Sequence, residues 1–146
     1  MASDLKIDID GVRLNVRVGA IMRHGDNVVI EISKIGLNSV VPGGRIQINE
    51  KSTSALVREL QEEMGIAFTE EKMTLVKVFE NFYTMGGKPS HEIYFLYEYV
   101  LSDDELAQIN FDTNEDNENT YFALVPKTDM AKYNVLPLTL YPLINN

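Results

Sequence analysis

The sequence predicts an α/β or α+β layered domain: a mixed β-sheet, one strong helix in mid-chain and a weaker helical segment at the end. Three observations predict it. Runs rich in Val, Ile, Phe and Tyr recur on both sides of a single helical stretch. Gly- and Pro-containing breaks separate these segments. A length of 146 residues, 45% of them hydrophobic, suffices for one full core, and we expect a single domain over 1–146.

Taken in order, Arg13 to Met22 alternates and then turns wholly apolar, as expected of a strand with one end buried on both faces. Gly25-Asp26-Asn27 signals a turn, and Val28 to Ile32 reads as the antiparallel return. Pro42-Gly43-Gly44 breaks the chain before a helix from about Ser52 to Met64, closed by Gly65 at the position that favours a left-handed residue. Met73 to Tyr83 and His91 to Leu101 are strands with Gly86-Gly87-Lys88-Pro89 between them, and Tyr121 to Val125 is a last short strand. Leu136 to Ile144 is read as a terminal helix, weakened by Pro137 and Pro142.

Composition removes several function classes. There is no cysteine, hence no disulfide, no thiolate metal site and no thiol nucleophile. Two histidines cannot supply a zinc triad. No apolar run has the length needed to span a bilayer, and the first residues lack the pattern of a secretory signal, so the expectation is a cytoplasmic protein without membrane association. A net charge of −9, with seven carboxylates and no Lys or Arg between Ser102 and Asn119, argues against binding duplex nucleic acid. An acidic protein can still take a small phosphate ester when divalent cations stand between the two sets of charge. The acidic stretch itself reads mainly as a solvated loop.

The chemistry is concentrated between Gly44 and Ile66. With Glu59 set at 0° and about 100° per residue, Glu62 lies at roughly 300° and Glu63 at roughly 40°. Three carboxylates therefore share a helix face. Leu56, Val57, Leu60 and Met64 form the apolar stripe beside them, and Ser52 and Ala55 keep the acidic face small. Like charges four residues apart weaken a helix, and a hard divalent cation would relieve them.

The same segment resembles the signature of the Nudix hydrolases. The matching positions are Gly44, Glu50, Arg58, Glu59, Leu60, Glu62, Glu63, Gly65 and Ile66. Agreement at all of them by chance has odds on the order of 10⁻⁸ at ordinary residue frequencies. The resemblance implies an α/β/α sandwich in which the signature forms a loop–helix–loop. It implies Mg²⁺ or Mn²⁺ held by Glu59, Glu62 and Glu63, with the backbone carbonyl of Gly43 joining them. Glu50 and Arg58 would support those carboxylates from behind. A further ligand is expected from the loop ahead of the last strand: Glu115, with Asp116 and Glu118 as competitors. The reaction implied is attack of a metal-activated water on one phosphorus of a P–O–P bridge, with Glu59 the first choice for the base and Glu62 or a downstream loop acid the alternatives.

Substrate choice is less legible. The second strand ends in Glu31-Ile32-Ser33-Lys34, so Lys34 is the one base there, where members that hydrolyse nucleoside triphosphates or nucleoside diphosphate derivatives often carry one or two, a departure that counts against a simple triphosphate-sanitising role. The position at which ADP-ribose-hydrolysing members often have proline is Asn81. Tyr83 resembles an aromatic of some diadenosine polyphosphate hydrolases. Phe82 and Tyr83 are candidates for stacking on a base. Arg17, Arg23, Arg45 and His91 are candidates for phosphate or base edges. The expected substrate is a small nucleotide, with a nucleoside diphosphate derivative (a nucleotide sugar, an ADP-ribose-like compound or a dinucleoside polyphosphate) ahead of a nucleoside triphosphate. Homodimers are frequent in the family, and Tyr94 to Tyr97 could serve such a contact or the core. The competing reading is a catalytically silent domain of the same fold that binds a nucleotide and regulates a partner; retention of every signature glutamate favours the enzyme.

Overall fold

The computed structural model describes residues 2–36 and 38–145. The strands are β1 (Lys6–Ile9), β2 (Val12–His24), β3 (Asn27–Ser33), β4 (Ser39–Val40), β5 (Gly43–Arg45), β6 (Thr74–Met85), β7 (Lys88–Val100) and β8 (Thr120–Pro126). Three α-helices, α1 (Ser52–Met64), α2 (Asp103–Gln108) and α3 (Leu140–Ile144), join 3₁₀ turns at Glu70–Lys72 and Lys127–Tyr133. All eight strands form one mixed sheet whose main path runs β4-β3-β2-β7-β6. The central pair, β2 with β7, is parallel, and the others are antiparallel.

β2 is buried on both faces over its second half, as its apolar run predicts. Val18, Ala20 and Met22 face α1 and pack with Leu56, Leu60 and Tyr99. Ile21 faces the other way, into a cluster with Ile30, Tyr94, Leu96, Met130 and Leu140 that the C-terminal turns cover. The result is the α/β/α layering expected. Tyr94, Leu96 and Tyr97 are buried and belong to the core.

The helix boundaries of α1 coincide with the sequence reading, and Gly65 closes it at φ 71° with its N–H on the Gln61 carbonyl. The terminal helix is shorter than read, because α3 starts only at Leu140, beyond Pro137. Part of the acidic stretch read as loop is helical. Ser102 accepts from the Glu105 N–H while the Glu105 carboxylate accepts from Ser102, a capping box that starts α2.

One feature of the sheet positions the site. β2 and β3 pair only beside their turn, Arg23 with Val28 and His24 with Asn27. Beyond that they part: β5 takes up β2 at Arg17–Gly19, and β4 takes up β3 at Glu31 and Ile32. A wedge opens between the two strands, and α1 lies across its mouth.

Candidate active site

The wedge is a cleft of about 390 Å³. Arg17, Gly44 and Arg45 stand on the β2–β5 side, Glu31 on the β3 side, and Glu59 and Glu63 come from α1. Asn114 and Asp116 of the loop before β8 close it.

Arg58 organises the helix side. Its guanidinium makes a fork with Glu50, Nε to Oε2 at 2.8 Å and Nη2 to Oε1 at 3.0 Å. Nη1 donates to Glu59 at 3.0 Å and reaches Glu62 at 3.3 Å, and Nη2 also donates to the Arg45 carbonyl at 3.0 Å. One side chain therefore ties the signature loop to the helix and fixes two acidic rotamers, the arrangement that the resemblance implies for Glu50 and Arg58. Its pKa is raised chiefly by the Glu50 hydrogen bonds, and that of Glu50 is lowered by them. Gly44 leaves the room beside it: a Cβ there would lie 2.2 Å from the Glu59 carboxylate, which would have to move.

Burial pushes the Glu59 carboxyl up to about 7, with Arg58 opposing. Glu63 is more extreme. It is 4% exposed, its Oε1 has no hydrogen-bond partner, and its carboxyl meets that of Glu31. Burial first, and Glu31 second, hold its pKa far above the usual carboxylate range. Such a group is costly without a counter-ion. Oxygen atoms of Glu59, Glu62 and Asp116 lie within 4.8 Å of one another. An orphaned buried carboxylate oxygen beside a triad of converging acids fits a hard divalent cation, whose preferred ligands are carboxylate oxygens.

The loop brings a neighbour of Glu115 to the acidic group. Glu115 does not join the acidic group. Its N–H donates to the Glu63 carbonyl at 2.8 Å and its carboxylate turns onto Gly65, at the end of α1. The next residue, Asp116, then faces Glu59 and Glu62. Its direction is set by Asn114, whose side-chain carbonyl accepts the Asp116 N–H at 2.9 Å and the Asn117 N–H at 3.1 Å. Glu118 is exposed and outside the cleft lining.

Among the residues expected to meet substrate, Arg17 and Arg45 line the cleft. Arg17 lies over the Tyr94 ring at 6.0 Å; burial opposes its charge, but Tyr94, Glu92 and Glu31 outweigh that and raise its pKa. Lys34 is exposed outside the cleft lining, because the chain turns away after β3. Tyr83 is directed at Glu92 on the sheet, 3.4 Å from its carboxylate, and Asn81 makes the same contact. Arg23 is spent on Glu98 and on the last carbonyls of α3, at 2.6 and 2.7 Å. His91 pairs with Glu80 and packs on Phe82. Sequence reasoning missed Glu31 and Asn114. Glu31 was visible as an acid inside the apolar run Val28 to Ile32, whereas Asn114 carried no signal within a loop of Asn and Asp.

The NUDIX domain family model matches residues 13–140. The chain belongs to the NUDIX family. It is accordingly a hydrolase, and the structural relatives agree on the fold. The mutator MutT protein from Bacillus halodurans is similar at a TM-score of 0.69 and 16% identity, over 90% of this chain and 80% of that one. MutT from Aliivibrio salmonicida and Vibrio cholerae gives a TM-score of 0.58 and 20% identity, over 90% and 94%. The Ap4A hydrolase of C. elegans gives 0.54 and 20%, over 83% and 86%. No curated protein sequence matches the chain. Among the described residues no helix is long and apolar enough to cross a membrane.

Proposed function

We propose that this Nudix hydrolase is a metal-dependent pyrophosphohydrolase that cleaves a P–O–P linkage in a small nucleotide. The observation that carries the reading is the charge of the cleft. Its lining holds five carboxylates (Asp4, Glu31, Glu59, Glu63 and Asp116) and two guanidiniums (Arg17 and Arg45). A polyphosphate cannot enter such a site unless cations reverse its sign. Mg²⁺ or Mn²⁺ would be held by Glu59, Glu62, Glu63 and Asp116, with the Gly43 carbonyl. When bound it would lower the pKa of water, orient the diphosphate and neutralise charge on the leaving phosphate.

The protein's own groups divide the remaining work. Arg17 and Arg45, on the wall facing α1, are placed to hold phosphate oxygens. Arg58 takes Glu59 Oε1, so Glu59 stays oriented while its other oxygen accepts the proton of the attacking water. Glu50 keeps Arg58 in that position. For substrate we favour nucleoside diphosphate derivatives over triphosphates, since Lys34 does not reach the cleft to add positive charge. One structural relative is named an Ap4A hydrolase, and our proposed substrate class includes dinucleoside polyphosphates beside nucleotide sugars and ADP-ribose.

The test is incubation with Mg²⁺ and a panel of nucleoside triphosphates, ADP-ribose, nucleotide sugars, dinucleoside polyphosphates and coenzyme A, beside a Glu62→Gln variant. Metal-dependent release of a nucleoside monophosphate, lost in the variant, is the expected result. Cleavage that persists in EDTA, or in the variant, would sink the proposal.

A further inference from the structure

Glu92 and Tyr94 stand on β7, outside the cleft lining, and are 4% and 2% exposed. β7 runs parallel to β2, with Asn15 opposite Glu92 and Arg17 opposite Tyr94. Side chains alternate in face along a strand, so these four project from one side of the sheet. A carboxylate buried there is costly unless something pairs with it. The hydrogen bonds that Glu92 accepts, from the Asn81 amide and the Tyr83 hydroxyl, are both 3.4 Å long and therefore weak. Asn15 does not complete it, since its Nδ2 is buried and has no partner. The charge that balances Glu92 is that of Arg17, which Glu92 and the Tyr94 hydroxyl together favour in its ionised form.

Tyr94 supplies the shelf. Its ring lies under the Arg17 guanidinium at 6.0 Å and stacks on Phe79 at 4.9 Å, with 11° between the planes. Its hydroxyl passes over Gly19, where a Cβ would displace it. The ring is thus pinned between Phe79 and the backbone of β2. Arg17 also has a rival partner, because Glu31 on the opposite wall attracts it as well. An arginine drawn across the cleft would neutralise that acid instead of meeting substrate.

We propose that Glu92 is a positioning residue that keeps Arg17 on the β2 wall, over the Tyr94 ring and away from Glu31, where it can take a phosphate oxygen. The inference rests on the reading above of Arg17 as a phosphate-holding group. It gives a buried acid outside the cleft, and outside the signature, a part in substrate binding.

The deciding experiment titrates methylene-bridged ADP into the protein with Mn²⁺ present, by calorimetry, in the wild type, Glu92→Gln, Arg17→Gln and the double variant. Binding of Mn²⁺ alone is followed by electron paramagnetic resonance. Glu92→Gln should weaken the nucleotide about tenfold, the worth of one charge-assisted hydrogen bond, and leave Mn²⁺ affinity unchanged. In the Arg17→Gln background it should cost nothing further, because a residue that acts through Arg17 then has nothing to act on. A Glu92→Gln variant that binds the nucleotide as the wild type does, or whose loss adds in full to that of Arg17→Gln, overturns this inference and leaves the proposed function standing. So does an equal loss of Mn²⁺ affinity, the mark of a general structural defect. A wild type that does not bind the nucleotide overturns both. Should Glu92→Gln not fold, Glu92→Asp decides instead: weaker nucleotide binding at unchanged Mn²⁺ affinity supports the role, and unchanged nucleotide binding overturns it.

Discussion

Two glutamates of the same chain, Glu63 buried in the cleft and Glu105 half-buried at the start of α2, have opposite fates. Glu105 accepts from Lys72 at 2.6 Å, from the Ser102 N–H at 2.9 Å and from the Tyr99 hydroxyl. Burial works against its charge, but Lys72 and the Ser102 N–H hold its pKa down at about 2. Glu63 has one weak amide contact, a second carboxylate beside it and an empty-handed oxygen. The first is a finished structural joint. The second keeps a buried acceptor without a partner, which the cation proposed above would complete.

The contrast can be broken most sharply at the acid assigned to proton transfer. Glu59→Gln should lower kcat by about 10²- to 10⁴-fold, the usual worth of a positioned base. Its melting temperature in EDTA should not fall; a rate within a few-fold of wild type would remove Glu59 from the chemistry. Next is the residue behind it. Arg58→Lys keeps the charge but loses the fork, so metal affinity or activity should drop about 10- to 100-fold, measurable as the Mg²⁺ concentration at half-maximal rate. Unchanged Mg²⁺ dependence would show that Arg58 does not orient the acids.

Smaller effects sharpen the comparison by stability. Glu63→Gln should raise stability in EDTA by about 1–2 kcal/mol, since an amide is buried without the cost of keeping a proton on a carboxyl whose pKa burial and Glu31 drive up. A lower melting temperature would mean that Glu63 is satisfied without a ligand. Glu105→Gln should do the reverse and cost about 1–2 kcal/mol by calorimetry at neutral pH. Because the folded pKa of Glu105 lies below its ordinary 4.5, its contribution is fully present above that value and is lost as pH falls from there toward about 2. Urea midpoints of wild type and variant should therefore converge in acid, and a constant gap would refute the assignment. The smallest effect is expected of Tyr83→Phe. Its hydroxyl contact at 3.4 Å lies outside the cleft lining, so kcat/KM should stay within about twofold and stability within about 0.5 kcal/mol. A larger loss of kcat/KM would bring Tyr83 back to the substrate.

Much of this was legible in the residues because the informative part is local. A helix face follows from spacing along one element, so Glu59, Glu62 and Glu63 could be placed together, and the α1 boundaries and Gly65 followed from the same periodicity. The long strands announced themselves by apolar alternation. What escaped depends on contacts remote in sequence. Glu31 joins Glu63 across 32 positions of chain, and only the parting of β2 from β3 turns it toward the cleft. That Asp116 rather than Glu115 faces Glu59 and Glu62 goes with one backbone hydrogen bond to the end of α1, which residue type does not encode. The helix at Asp103–Gln108 was concealed by its own acidity, although Ser102 and Glu105 stood at capping-box spacing.

The wedge between β2 and β3 has a consequence for how such a protein can diversify. The two walls are joined by just two paired positions beside a short turn, and one wall carries the α1 acids while the other carries Glu31 and the loop that follows β3. A substitution or insertion on the β3–β4 wall changes what lies opposite the acids without disturbing the helix that presents them. The α1 acids and the β3–β4 residues opposite them thus lie on separate stretches of chain, and selection can retune one while the other stays as it is.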